Sequence, residues 1–130
     1  MRVFLDANIL FSAAAKNSAT KLLLEMLLDN AEAVTNRHAW EEASRNIELK
    51  RPEYTDSLIK LKKLLIFTDA FSGDFHLDIT EEDVPVLAGA VGSKCTHLWT
   101  GDKKHFGRYF GKTVGGVKIV SGVMLVEDLS

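Results

Sequence analysis

The sequence predicts an α/β fold: a three-layer α/β/α sandwich with a mainly parallel central sheet. Two observations carry this expectation. Short apolar runs of strand length alternate along the chain with stretches of good helix formers, the pattern of βαβ units. The chain also has no internal repeat, no low-complexity stretch and no obvious linker, so its 130 residues read as a single domain, 1–130, long enough to bury a core without staples.

Residues 2–5, with Val3-Phe4-Leu5 as their apolar run, read as the first strand, which stops abruptly at Asp6. Ser18 or Thr20 is suited to cap a helix through Lys21–Leu28, a run rich in strong helix formers that Asp29-Asn30 would end. Ala33-Val34-Thr35 is a short second strand. A polar helix follows from about Arg37 to Lys50, and Pro52 marks its end. Pro52 is equally suited to open the next helix, which runs to about Leu64, before the strand Leu65-Ile66-Phe67. Phe71 to Asp78, with Gly73, reads as loop, and Asp83 to Val91 as helix. Leu98-Trp99-Thr100 and Val117–Val120 complete the strands, and right-handed crossovers follow wherever consecutive strands pair.

Composition bounds the function. Apolar residues make up 46% and charged residues 26%, the balance of an ordinary soluble protein. No apolar run approaches the roughly 18 residues that span a membrane, and Met1 leads straight into a strand, so neither a membrane span nor a signal peptide is expected. A single cysteine, Cys95, excludes an internal disulfide and a cysteine-rich zinc site, which points to the cytoplasm. The net charge of −2 argues against a surface wholly devoted to nucleic acid. The basic residues are nonetheless uneven: Lys103, Lys104, Arg108, Lys112 and Lys118, with His105, fall in a stretch without acids, interleaved with Phe106, Tyr109 and Phe110. A charge run is usually a solvated face. This one directly follows Asp102, where a phosphate-bearing substrate would need a basic wall, with Lys103, Lys104 and Arg108 as its RNA-binding candidates.

Ligands of open α/β sheets bind beyond the carboxyl ends of the strands. Asp6 and Asp102 each follow a strand, and two carboxylates side by side suit a hard divalent cation. Aspartate after a strand also serves in turns, and for either residue alone that reading is equally good. Two further acids tip the balance. Glu41 and Arg45 have the spacing of a surface i, i+4 pair, which leaves Glu42, beside the Ala39, Ala43, Ile47 stripe, as the inward acid. Thr80 and Asp83 have capping-box spacing, so capping alone would explain Asp83. Four carboxylates in one pocket would repel by roughly 3 kcal/mol per pair at about 5 Å and an effective dielectric near 20, unless their pKa values rise or a cation enters.

Leu5-Asp6-Ala7-Asn8-Ile9-Leu10, Glu42–Ile47, Asp83–Ala90 and Leu98–Phe106 resemble the PIN-domain proteins in order and spacing, over essentially the whole chain. The resemblance implies a small α/β/α sandwich and an Mg²⁺- or Mn²⁺-dependent endoribonuclease hydrolysing RNA phosphodiesters. It also implies the toxin of a type II toxin–antitoxin pair, homodimeric and held by a small antitoxin. By the same resemblance Asp6, Glu42, Asp83 and Asp102 are the catalytic and metal-site acids, while Asn8 and Thr100 support them. Where some members carry another acid two positions after the last aspartate, this chain has Lys104, a departure that bears on a second metal position.

Other classes compete. A non-catalytic PIN-like module that binds RNA or protein would keep the fold; the four acids speak against it and Lys104 weakly for it. A phosphatase forming an aspartyl phosphate would carry a second aspartate where Asn8 stands. A nucleotide-binding Rossmann domain lacks its glycine-rich loop after the first strand.

Overall fold

The computed structural model describes residues 1–130. Strand β1 (Arg2–Leu5) is separated by Asp6 alone from helix α1 (Ala7–Ala14). Ser18, rather than Thr20, caps α2 (Ala19–Leu28), its hydroxyl accepting from the Lys21 N–H. Strand β2 (Glu32–Asn36) passes directly into α3 (Arg37–Lys50), where Asn36 Oδ1 accepts from the Ala39 N–H. Pro52 opens a short 3₁₀ turn, Pro52–Tyr54, which leads into α4 (Thr55–Leu61) and then β3 (Ile66–Thr68). After the expected irregular stretch come α5 (Val84–Gly92) and β4 (His97–Trp99). A one-turn helix α6 (Lys103–Phe106), the strands β5 (Thr113–Val114) and β6 (Val117–Val120), and α7 (Gly122–Leu129) complete the chain.

Four elements go beyond the sequence reading: α1, α6, α7 and β5. Each is short, and each depends on a local device. Asp6, Asp102 and Ser121 cap the three helices with side-chain oxygens. The hairpin of β5 and β6 turns on Gly115-Gly116, both at positive φ (57° and 83°), the backbone a two-residue type I′ turn demands.

The strands form one sheet in the order β3-β2-β1-β4-β6-β5, parallel throughout except for edge strand β5. From β1 the chain builds outward through β2 and β3, then returns to the other side of β1 with β4. The order therefore reverses between β1 and β4, and a crevice opens beyond their carboxyl ends.

Both faces of the sheet are covered. Phe4 pairs in register with Leu98, and Leu5 with Trp99, so these two sets point to opposite faces, yet all four are buried. Helix α5 lies on the Phe4 face, approaching so closely that a Cβ at Gly89 would come 3.1 Å from the Phe4 ring. Helix α7 lies on the other face. Gly122 packs beside Trp99 Nε1, and His97 Nε2 lies 2.9 Å from Asp128 Oδ2. Lys118, and after it His97, hold the Asp128 carboxyl below its usual range. Central strands buried on both faces read as near-continuous apolar runs, which is how the sequence made them visible. No helix is long and apolar enough to cross a membrane.

Candidate active site

Asp6 occupies the single position between β1 and α1, and its side chain is buried. Its Oδ1 accepts the Ala7 N–H at 2.7 Å, capping the helix. Its Oδ2 accepts from the Thr100 hydroxyl at 2.8 Å and the Asn8 amide at 3.1 Å. Burial pushes its pKa from the ordinary 3.8 to about 6; the Thr100, Ala7 and Asn8 hydrogen bonds oppose the rise, and the charge on Glu42 adds to it. Asn8 and Thr100, the two supporting residues expected from the sequence, tie the ends of β1 and β4 together. Asn8 Oδ1 accepts the Gly101 N–H at 2.7 Å, while the Thr100 hydroxyl also accepts the Asp102 N–H at 3.1 Å. Thr100 thus touches both aspartates of the paired strands.

Asp102 caps α6 through Oδ1, which accepts the His105 N–H at 3.0 Å. Its Oδ2 lies 2.9 Å from His105 Nδ1, and the same nitrogen lies 3.1 Å from Asp83 Oδ2. Asp83 stands at the N-cap position of α5 but makes no capping bond. The Thr80 hydroxyl instead donates to its Oδ2 at 2.7 Å. The capping box therefore does not form, and the Asp83 carboxylate is left turned toward His105.

Glu42 comes from the middle of α3. The sequence set it apart by pairing Glu41 with Arg45; the structure pairs Glu41 with Arg37 instead, at 2.7 Å. One turn earlier serves as well, because i−4 and i+4 are equivalent neighbours on a helix surface. The consequence is the same: Glu41 faces solvent and Glu42 faces in. Asn46 and Lys50, one and two turns on, extend the Glu42 stripe into the same space.

These side chains line one cleft of about 340 Å³, shared by Asp6, Asn8, Glu42, Asp83, Asp102 and His105, with Asn46, Lys50 and Glu82 around them. The cleft sits at the crevice between β1 and β4. Thr100 is fully buried behind it. Sequence reasoning missed His105 and Lys50 as cleft residues. Their signals were present: His105 stands one turn after Asp102, and Lys50 two turns after Glu42.

The basic stretch does not form one wall. Lys118 is drawn into β6, where its Nζ pairs with Asp128 at 2.9 Å. Arg108 lies on the surface against Asp78, at 3.3 Å, with its guanidinium over the Tyr109 ring. Lys103 borders an apolar groove behind the site. Lys104 and Arg108 share a shallow depression with His105, and His105 joins that depression to the cleft.

The donor set fits a hard divalent cation. Ligand atoms of Asp83, Asp102 and His105 lie within 4.8 Å of one another. Asp6, with its pKa raised by burial, lacks a compensating positive charge that an ion would supply. Carboxylate oxygens are the preferred donors of Mg²⁺ and Mn²⁺.

No protein-family model and no curated protein matches the chain. Among solved structures, it resembles the crystal structure of VapBC2 from Rickettsia felis bound to a DNA fragment from their promoter. The match has a TM-score of 0.70 at 20% sequence identity, over 93% of this chain and 98% of that one. The chain shares the fold of that structure. At that identity the likeness speaks to the fold, which is the α/β sandwich the sequence predicted; what the site does rests on its own residues.

Proposed function

We propose that the chain is a metal-dependent endoribonuclease, a hydrolase of RNA phosphodiesters, acting in the cytoplasm as the toxin of a type II toxin–antitoxin pair. The observation that carries this reading is the convergence of Asp6, Glu42, Asp83 and Asp102, from four separate segments, on one cleft at the sheet's switch point. Acids drawn from four segments to one strand-end crevice are an arrangement that a structural role alone does not call for.

In this reading Asp6, Asp83 and Asp102 hold Mg²⁺ or Mn²⁺, and Glu42 helps bind the ion or orients the attacking water. The ion would supply positive charge to offset the carboxylates and would polarise the phosphate for attack. The chain's residues do the rest. The N–H of Ala7, the Thr100 hydroxyl and the Asn8 amide fix both Asp6 oxygens, so that carboxylate has no freedom to turn away. Thr100 also holds the Asp102 backbone, which keeps the two strand-end acids in register. Asn46 offers a neutral hydrogen-bonding group beside Glu42. Lys50 and Lys104, with Arg108 beyond, are placed to bind flanking phosphates, while Lys103 lies further from that path.

The partners follow the same reading. An apolar groove of about 580 Å³ runs between α2 and α7, where Leu22, Met26, Val123 and Val126 are exposed. Exposed apolar patches of this kind mark protein interfaces, and this one suits a small antitoxin or the second copy of a homodimer. Lys104 favours a second reading, a PIN-like module that binds RNA or protein without cutting, because a lysine stands where a further acid would complete a second metal position.

The test is cleavage of a panel of structured and unstructured RNAs by purified protein with Mn²⁺, Mg²⁺ or EDTA. Metal-dependent cutting abolished by EDTA is the expected result. Binding without cleavage in any metal would favour the module.

A further inference from the structure

We propose that His105 binds the metal ion directly through Nδ1, which makes the centre a mixed carboxylate–imidazole site that prefers Mn²⁺ to Mg²⁺. This rests on the metal-dependent reading above and adds a ligand that the four acids do not include.

The geometry carries it. His105 Nδ1 lies 2.9 Å from Asp102 Oδ2 and 3.1 Å from Asp83 Oδ2. An octahedral ion with bonds of about 2.1 Å sets adjacent ligand atoms about 3.0 Å apart, the bond length multiplied by √2. Both separations match that spacing, and all three ligand atoms lie within 4.8 Å of one another, so one ion fits among them.

An ordinary surface pair explains less. A histidine one turn after a capping aspartate commonly touches that aspartate. Here the ring also reaches a second carboxylate, at the N-cap position of a different helix. No lysine or arginine pairs with Asp83 or Asp102, so the imidazole alone stands between them. Its place is set by the backbone: the His105 N–H donates to Asp102 Oδ1, so the residue that supplies one carboxylate also fixes the ring beside it.

Ligand chemistry then sets the preference. Mg²⁺ takes oxygen donors and keeps its waters, and gains little from an imidazole. Mn²⁺ accepts the same carboxylates and, as a transition ion, also benefits from a nitrogen donor.

The experiment uses the full chain and MnCl₂ alone, without RNA. Pulsed EPR of the Mn²⁺-loaded protein should show ¹⁴N modulation from a bound imidazole, and ¹⁵N-histidine labelling should shift it. His105→Gln should remove the signal and lower Mn²⁺ affinity by at least about tenfold, the smaller end of what loss of a group supporting a metal site costs. Mg²⁺ affinity should change by less than about twofold. His38→Gln serves as the control, since His38 faces the Glu82 carbonyl at 3.1 Å, and should keep both the signal and the affinity. Mn²⁺ bound by the wild type without ¹⁴N coupling would overturn the assignment of His105 and leave the carboxylate site standing. Absence of any Mn²⁺ binding would overturn both. The wild-type spectrum decides the matter even if the variant folds poorly.

Discussion

Asp6→Asn should stabilise the metal-free protein at alkaline pH, and the structure sets the size of the gain. Folding raises the Asp6 pKa from 3.8 to about 6. The protonated carboxyl is thus the form the fold prefers. The stability it contributes is complete below the unfolded value and is lost as pH rises through the folded one. By pH 8 the loss amounts to about 3 kcal/mol, at 1.36 kcal/mol per pH unit of displacement. Asparagine cannot ionise and escapes that loss. It keeps the bond from the Ala7 N–H, and the Thr100 hydroxyl can turn from donor to acceptor, but the new amide would face the Asn8 amide, and that one lost hydrogen bond costs about 1 kcal/mol. The net gain at pH 8 is about 2 kcal/mol. For a chain of this length that is about 8 °C in melting temperature. Near pH 4 the wild-type carboxyl is protonated in the folded state and the gain should vanish. Thermal melts in EDTA at pH 8 and pH 4 measure it. A variant less stable at pH 8, or a difference that ignores pH, would refute the reasoning and make Asp6 a structural residue. Added Mn²⁺ should stabilise the wild type and leave the variant nearly unchanged.

Thr100→Val removes the hydroxyl that lowers the Asp6 pKa most and leaves the Asp102 N–H without its partner; it should raise the Asp6 pKa above 6, readable by NMR titration, and cost about 1–3 kcal/mol of stability. Gly89→Ala would put a Cβ 2.6 Å from Asn36 Nδ2. Because Asn36 joins the start of α3 to the Pro85 carbonyl at 3.0 Å, the substitution should destabilise by about 1–3 kcal/mol in denaturant melts and weaken Mn²⁺ binding by separating Glu42 from Asp83. Lys50→Ala with Lys104→Ala should weaken RNA binding and reduce the slope of log affinity against log salt by roughly 1.4 for a single strand, whereas Lys103→Ala should do much less.

The parallel core was legible because β1 and β4 are buried on both faces and so write themselves as apolar runs. The aspartates beyond them were legible for the same reason: a carboxylate at the end of such a run, as Asp6 is, or just past it, as Asp102 is, has few places to go. Helix α1 was not read. It is short, and its start depends on the Asp6 carboxylate serving as a cap as well as a cleft residue, two roles that look alike in sequence. Helix α6 was hidden in the same way behind Asp102. Asp83 carried two readings, a cap from the Thr80-x-x-Asp83 spacing and a metal-site acid from the family resemblance; in three dimensions it stands at the N-cap position without a capping bond, accepts from the Thr80 hydroxyl and lines the cleft. The Glu41 pairing was assigned to the wrong turn, since spacing cannot choose between i−4 and i+4. The basic stretch 103–118 looked continuous only along the chain. Strand β6 carries Lys118 away to Asp128, while α6 turns Lys103 and Lys104 toward different hollows. His105 went unassigned because its second carboxylate, Asp83, lies far off in sequence and meets it only through the fold.

The central claim is that the four-acid cleft cuts RNA. The most direct measurement follows one RNA with wild type and with Asp102→Asn in Mn²⁺, recording cleavage and binding on the same samples. Loss of the Asp102 charge should abolish cleavage while leaving binding equal or tighter, since a negative charge beside the phosphates is gone. Wild type that binds the RNA but does not cleave it in Mn²⁺ would contradict the account.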